Sequence, residues 1–252
     1  MSESERFRFD DFTTAHYRDL LRLAQQSYEF RTYSDFEIGA PHVLWRHDVD
    51  ISPQRAVRLA EIEAEEGVVA TYFIRLHSEF YNFWDARIVS AFKRVAFLGH
   101  ELGLHFEVGF DRDHQTDRFE ERLLSEANLV EEVFGRPVKA FSMHDPTDED
   151  LSRDEDLYAG LVNTYARRFW RDARYCSDSN GYWRFERLAD VLAEEPSRAL
   201  QVLTHPVWWQ ESAMSPRERV RRSIEGRAIA DQAFYDALLE RVGRENVDGD
   251  SP

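Results

Sequence analysis

The chain has 252 residues, 42% of them hydrophobic and 13% aromatic, enough apolar surface for a sizeable core and against wholesale disorder. Acidic residues outnumber basic ones 48 to 32, for a formal net charge of −16, which repels phosphate backbones and anionic lipid and leaves nucleic acid a poor partner. Cys176 is the single cysteine, so neither an internal disulfide nor a cysteine-built zinc cage can form.

The opening M-S-E-S-E-R-F-R-F-D is charged and lacks the apolar core of a secretion signal. No run approaches the roughly 18 apolar residues of a membrane span, so a cytoplasmic location is expected. Val43-Leu44-Trp45 reads as a short strand running into R-H-D-V-D. Ser52 then offers a helix N-cap with Pro53 at the first helical position, and Gly67 suits the stop. Residues 68–74, apolar on both faces, fit a strand buried on both sides. A second helix is expected over 85–97, a strand over 101–106, a third helix over 115–134 and a strand over 139–144. Residues 145–185 read as an irregular loop region. A strand over 200–205 and a closing helix from Pro216 to about Val242 follow, with a frayed tail. Strands alternating with helices point to a largely parallel α/β sheet. With no repeat or Pro/Gly-rich hinge, one domain is expected, its core over about 40–210.

Polar residues gather where these strands end. Asp48 and Asp50, His105, His144 and His205 each fall at the C-terminal end of an expected strand, and in parallel α/β architectures those ends form the ligand-binding rim. Two apart in an extended chain, Asp48 and Asp50 point to the same side. Their mutual repulsion is relieved if a cation lies between them; the alternative is that Asp50 anchors the helix that follows. His100 and His105 are five apart and face opposite sides. His105 is then the better ligand, and His100 fits a structural hydrogen bond. Glu107 shares the face of His105 and reads as a ligand, a supporting partner or a solvated loop residue. Trp208 and Trp209 beside His205 suit either a sugar-binding wall or core packing. Asp178, in Y-C-S-D-S-N-G-Y-W, either reaches back to the rim or builds a turn, and Cys176 reads as buried. His47, inside R-H-D-V-D, joins the substrate-binding candidates. G-x-S-x-G, Walker-type, G-x-G-x-x-G and H-E-x-x-H motifs do not occur.

In their order R-H-D-V-D, G-H-E-L-G-L-H-F-E, F-S-M-H-D-P, S-D-S-N-G-Y-W and V-L-T-H-P, these stretches resemble a divergent, surface-polysaccharide-associated branch of the NodB-type polysaccharide deacetylase superfamily, over most of residues 40–210. The resemblance implies a distorted (β/α) barrel with fewer than eight complete units. It also implies hydrolysis of an N-acyl group on an acylated sugar or polysaccharide precursor, assisted by a divalent metal, most simply Zn²⁺. Asp48 would be the general base, Asp50 and His105 metal ligands, and His205 the acid that protonates the leaving amine. Asp178 and Trp183 would correspond to the segment that orients His205 and lines the acyl pocket. Four residues after His105, where the family has its second histidine, stands Gly109, so His144 or Glu107 would complete the site. The alternative is a non-catalytic relative that binds a glycan or nucleotide-sugar on the same rim.

Overall fold

The computed structural model describes residues 2–36, 41–110, 118–196 and 198–247. In chain order the elements are α1 (Glu3–Phe7), α2 (Thr14–Ala24), β1 (Glu29–Arg31), β2 (His42–Val49), α3 (Pro53–Glu65), β3 (Thr71–Arg75), α4 (Ala86–Phe97), β4 (Glu101–Glu107) and α5 (Phe119–Phe134). Then come β5 (Ala140–His144), α6 (Asp148–Leu151), β6 (Leu157–Tyr158), β7 (Leu161–Asn163), β8 (Arg174–Ser177), α7 (Leu188–Leu192), β9 (Leu200–Thr204) and α8 (Pro216–Arg241). The strands form one sheet in the order β6-β7-β5-β4-β3-β2-β9-β8, with β1 alongside β2. Every pairing is parallel except β6 with β7.

The sheet curls into an open, distorted barrel. Arg46 on β2 reaches across to donate from Nη1 to Thr164 Oγ1 just beyond β7 (2.6 Å). The Arg46 guanidinium lies 5.7 Å from the Phe73 ring centroid and 5.2 Å from that of Tyr165. Tyr33, Leu44, Phe73, Ala140, Ala166 and Phe169 fill the lumen below it. Gly103 permits this packing: a Cβ there would lie 2.5 Å from Phe73 Cδ1. The convex face is apolar and packs on the helices. Trp45, Tyr72, Ile74, Leu104, Phe106 and Val202 join Leu59, Ala60 and Phe92 in one buried cluster.

The helix signals act as read. Ser52 Oγ accepts from Arg55 N, and Pro53 opens α3. Gly67 has φ +71°, a left-handed conformation that costs glycine little. β2 runs on from Val43-Leu44-Trp45 to Val49, so Asp48 lies at its end and Asp50 just beyond, where the acidic pair is expected. One expectation needs correction. The 145–185 stretch is not wholly irregular. It holds β6, β7 and β8, and β8 pairs with β9 through Cys176 opposite Val202. Residues 115–117 and 248–252, expected as a helix start and a frayed tail, lie outside the described residues.

Candidate metal centre at the barrel rim

Strand register brings the polar side chains together. Arg75, His105 and Ser142 lie side by side on β3, β4 and β5, and Glu107 pairs with His144 one step nearer the rim. His105 touches both aspartates: Nδ1 is 3.7 Å from Asp48 Oδ2, and Nε2 is 3.0 Å from Asp50 Oδ1. The same-side placement expected of Asp48 and Asp50 is what the coordinates have. Asp50, His105 and His144 each offer one ligand atom, and these atoms lie within 4.8 Å of one another.

Two observations fit this trio to a divalent cation. Among the described residues, Asp50 Oδ1 and His144 Nδ1 are buried without a hydrogen bond of good geometry, a cost ordinarily avoided, although each faces an ion-pairing neighbour at 3.0 Å, His105 Nε2 and Glu107 Oε2. The 3.0 Å approach of His105 Nε2 to Asp50 lies outside hydrogen-bonding geometry, as befits two atoms aimed at a shared third one. Ser142 fixes the ring. Its Oγ lies 2.7 Å from His105 Nδ1 and donates to Asp48 Oδ1 at 3.3 Å, so His105 Nδ1–H donates to Ser142 and Nε2 is turned towards Asp50. An imidazole–imidazole–carboxylate set suits a divalent metal ion. Burial pushes the Asp50 carboxyl pKa up, but the facing imidazoles of His105, His205 and His144 outweigh it and hold the group well below the usual carboxylate range.

Asp48 lies deeper. Its Oδ2 accepts from Arg46 Nη2 (2.9 Å), and both side chains are almost wholly enclosed. Across the rim, His205 Nε2 stands 3.7 Å from Asp50 Oδ2. The opposite edge of its ring donates from Nδ1 to Asp178 Oδ1 (2.7 Å), and Asp178 also accepts from the His205 backbone N–H and from Trp209 Nε1 (3.1 Å). Asp178 is fully buried. Burial alone would lower the His205 pKa, yet Asp178, with Asp50 and Asp48 behind it, raises it to about 9. These carboxylates favour the protonated imidazole in the metal-free site.

Not every candidate reaches this cavity. His47 points to the convex side and is wholly buried, with Nε2 2.6 Å from Glu63 Oε1 and Nδ1 2.6 Å from Thr204 Oγ1. Alternation along β2 sends it away from Asp48, so it holds strands to α3 and does not touch a ligand. His100, on that same convex side, donates from Nε2 to Ala60 O (2.9 Å) and accepts from Ala70 N, the structural role its spacing suggests. Trp209 is fully buried against Phe12, Tyr17 and Trp183, so it supports Asp178 and forms no exposed sugar wall. Trp183 stacks on Phe12 (5.3 Å), and Trp183 and Trp208 both keep some exposure. Glu107 is engaged: Oε2 accepts from Arg75 Nη2 (2.6 Å) and lies 3.0 Å from His144 Nδ1. It backs His144 and presents no free carboxylate to a substrate. Arg46 and Ser142 stand inside R-H-D-V-D and F-S-M-H-D-P without a role of their own in the sequence reading, Arg75 stands outside these stretches, and the fold of the sheet brings all three to the site. Cys176 is buried as expected, with its thiol pushed up to about 12, chiefly by burial.

The solved structures that this chain resembles are family 4 carbohydrate esterases and polysaccharide deacetylases. One is a family 4 carbohydrate esterase from Bacillus anthracis, at 18% identity and TM-score 0.45 over 85% of this chain and 86% of that one. Another is a polysaccharide deacetylase from Bacillus cereus, at 13% identity and TM-score 0.46 over 74% and 88%. A pseudoenzyme of that esterase family, also from Bacillus anthracis, matches at 18% and 0.44 over 76% and 64%. No protein-family model matches the sequence, and no curated protein is similar to it.

Proposed function

We propose that this protein is a metal-dependent hydrolase that removes an N-acyl group from a sugar or polysaccharide precursor. The observation that carries the reading is the Asp50–His105–His144 cluster, flanked by Asp48 on one side and by His205, held by Asp178, on the other. A divalent ion held there supplies Lewis-acid polarisation of the acyl carbonyl and of an attacking water. The rest falls to the chain. Asp48 accepts the proton of that water, and Arg46 and Ser142 fix its carboxylate in one orientation. His205 Nε2–H, aimed at the cavity by Asp178, donates to the departing nitrogen. Because an amine anion is a poor leaving group, this proton allows the carbon–nitrogen bond to break. His144 takes the ligand position that Gly109 leaves open.

The test is acetate release from N-acetylated oligosaccharides by metal-loaded protein, alongside metal content. His105→Ala and His144→Ala should each lose the metal and the activity. His205→Gln should keep the metal and lose roughly 10²–10⁴-fold in rate. Metal bound with no release from any acylated sugar would refute the hydrolase reading.

A further inference from the structure

A cleft of about 1070 Å³ opens between the segment joining β3 to α4 and the first half of α8. Its wall is tied to the metal cluster through the backbone: Ile51 and Ser52 follow Asp50, and Ser78 donates from Oγ to the Asp50 carbonyl (2.7 Å), while the cluster side chains themselves do not line it. Pockets for whole drug-sized ligands occupy about 300–1,000 Å³, so this one is far larger than an acyl group requires. One part of the wall is apolar, from Phe80, Phe83, Ile88 and Ile224. The other part holds Arg55, Arg87, Arg222 and Arg227 against Glu79, Asp85 and Asp231. With Glu211, which pairs with Arg55 and Arg222, four cations meet four carboxylates here, an even balance in a chain whose formal charge is −16.

The pairing among these charges is uneven. Arg87 is consumed by Asp85 Oδ2 (2.7 Å) and Asp231 Oδ1 (2.6 Å). Arg55 is held by Glu211 (2.8 Å) and the Trp209 carbonyl. Arg222 and Arg227 are held loosely, with carboxylates of Glu211 and Asp231 at 3.6 Å and one donor of Arg227 on the Phe80 carbonyl. Both keep guanidinium N–H groups for an incoming anion, in the planar geometry that matches phosphate and carboxylate alike.

We propose that this cleft binds the part of the substrate that is not deacylated, and that this part carries a phosphate or carboxylate seated on Arg222 and Arg227. The proposal rests on the hydrolase reading for the orientation of that substrate, but anion binding itself does not depend on catalysis. It can be tested on the full chain by calorimetry with three probes: a neutral N-acetylglucosamine trisaccharide, a nucleoside diphosphate-N-acetylhexosamine, and an N-acetylated oligosaccharide containing uronate residues. One anionic probe should bind about tenfold or more tighter than the neutral one, and which one it is separates phosphate from carboxylate. Raising the salt concentration should weaken that binding. The double variant Arg222→Gln/Arg227→Gln, on the exposed face of α8, should lose the advantage while keeping the native circular dichroism and the affinity for divalent metal. Equal binding of neutral and anionic probes, no anionic binding at all, or an unchanged double variant would each overturn the proposal. His105→Ala separates the two ideas: anion binding retained in that variant, with no turnover by the wild type, sinks the hydrolase reading and leaves the anion site standing.

Discussion

Replacing Asp178 with asparagine isolates the electrostatics of the rim. The side chain keeps its size but loses its charge, and one of its two acceptor oxygens becomes an amide that cannot accept from the His205 ring, the His205 backbone or Trp209. His205 sits at about 9 against an ordinary 6.5, so about 2.5 pKa units, at about 1.36 kcal/mol each, make roughly 3 kcal/mol of preference for the charged ring. Without Asp178, the largest opposing influence is gone and burial pushes the group down. The His205 pKa in Asp178→Asn should therefore drop by at least about two units. The raised value also has a signed effect on folding. The charged ring stabilises the native chain fully below about 6.5, and that stability is lost as pH rises through about 9. NMR titration of the imidazole Cε1–H in metal-free wild type and variant reads the shift directly, and thermal unfolding across that pH window reads the linkage. A variant whose His205 still titrates near 9, or a wild type near 6.5, would refute the argument.

Other outcomes follow from the same geometry. Saturating Zn²⁺ at about a hundredfold over Kd should stabilise the wild type by about 2.7 kcal/mol, and Asp50→Ala should abolish both the calorimetric binding isotherm and that stabilisation. Gly103→Ala forces a methyl against Phe73 and to 3.1 Å from the Ala140 carbonyl, where nothing can yield. Urea unfolding should show a loss of about 1–3 kcal/mol. Cys176, 2% exposed and with its thiol near 12, should resist a thiol reagent at pH 8 in the native protein and react at once in denaturant. Rapid native labelling would show that the β8 environment is wrong.

Much of the rim was legible because strand ends carry local signals. Pro146 and Pro206 stop their strands just beyond His144 and His205, and the two-residue spacing of Asp48 and Asp50 fixes their side. His47 shows where that legibility stops. It reads like its neighbours in R-H-D-V-D, but its face is decided by register, and its partners Glu63 and Thr204 lie 16 and 157 residues away. Arg46 and Ser142 escaped notice for a related reason. An arginine or serine within a strand is unremarkable until the sheet curls and carries a distant carboxylate to it. The tryptophans divided similarly: tandem aromatics beside a histidine suit a sugar wall, but the 3-10 turn at Pro206–Trp208 sends Trp209 inward to Asp178.

The Arg46 guanidinium, wedged between Phe73 and Tyr165 with Tyr33 and Phe169 packed beneath, stoppers the lumen from below. Among the described residues this layer fills the lumen beneath the aspartates, so under the proposed function a long substrate would lie across the open rim.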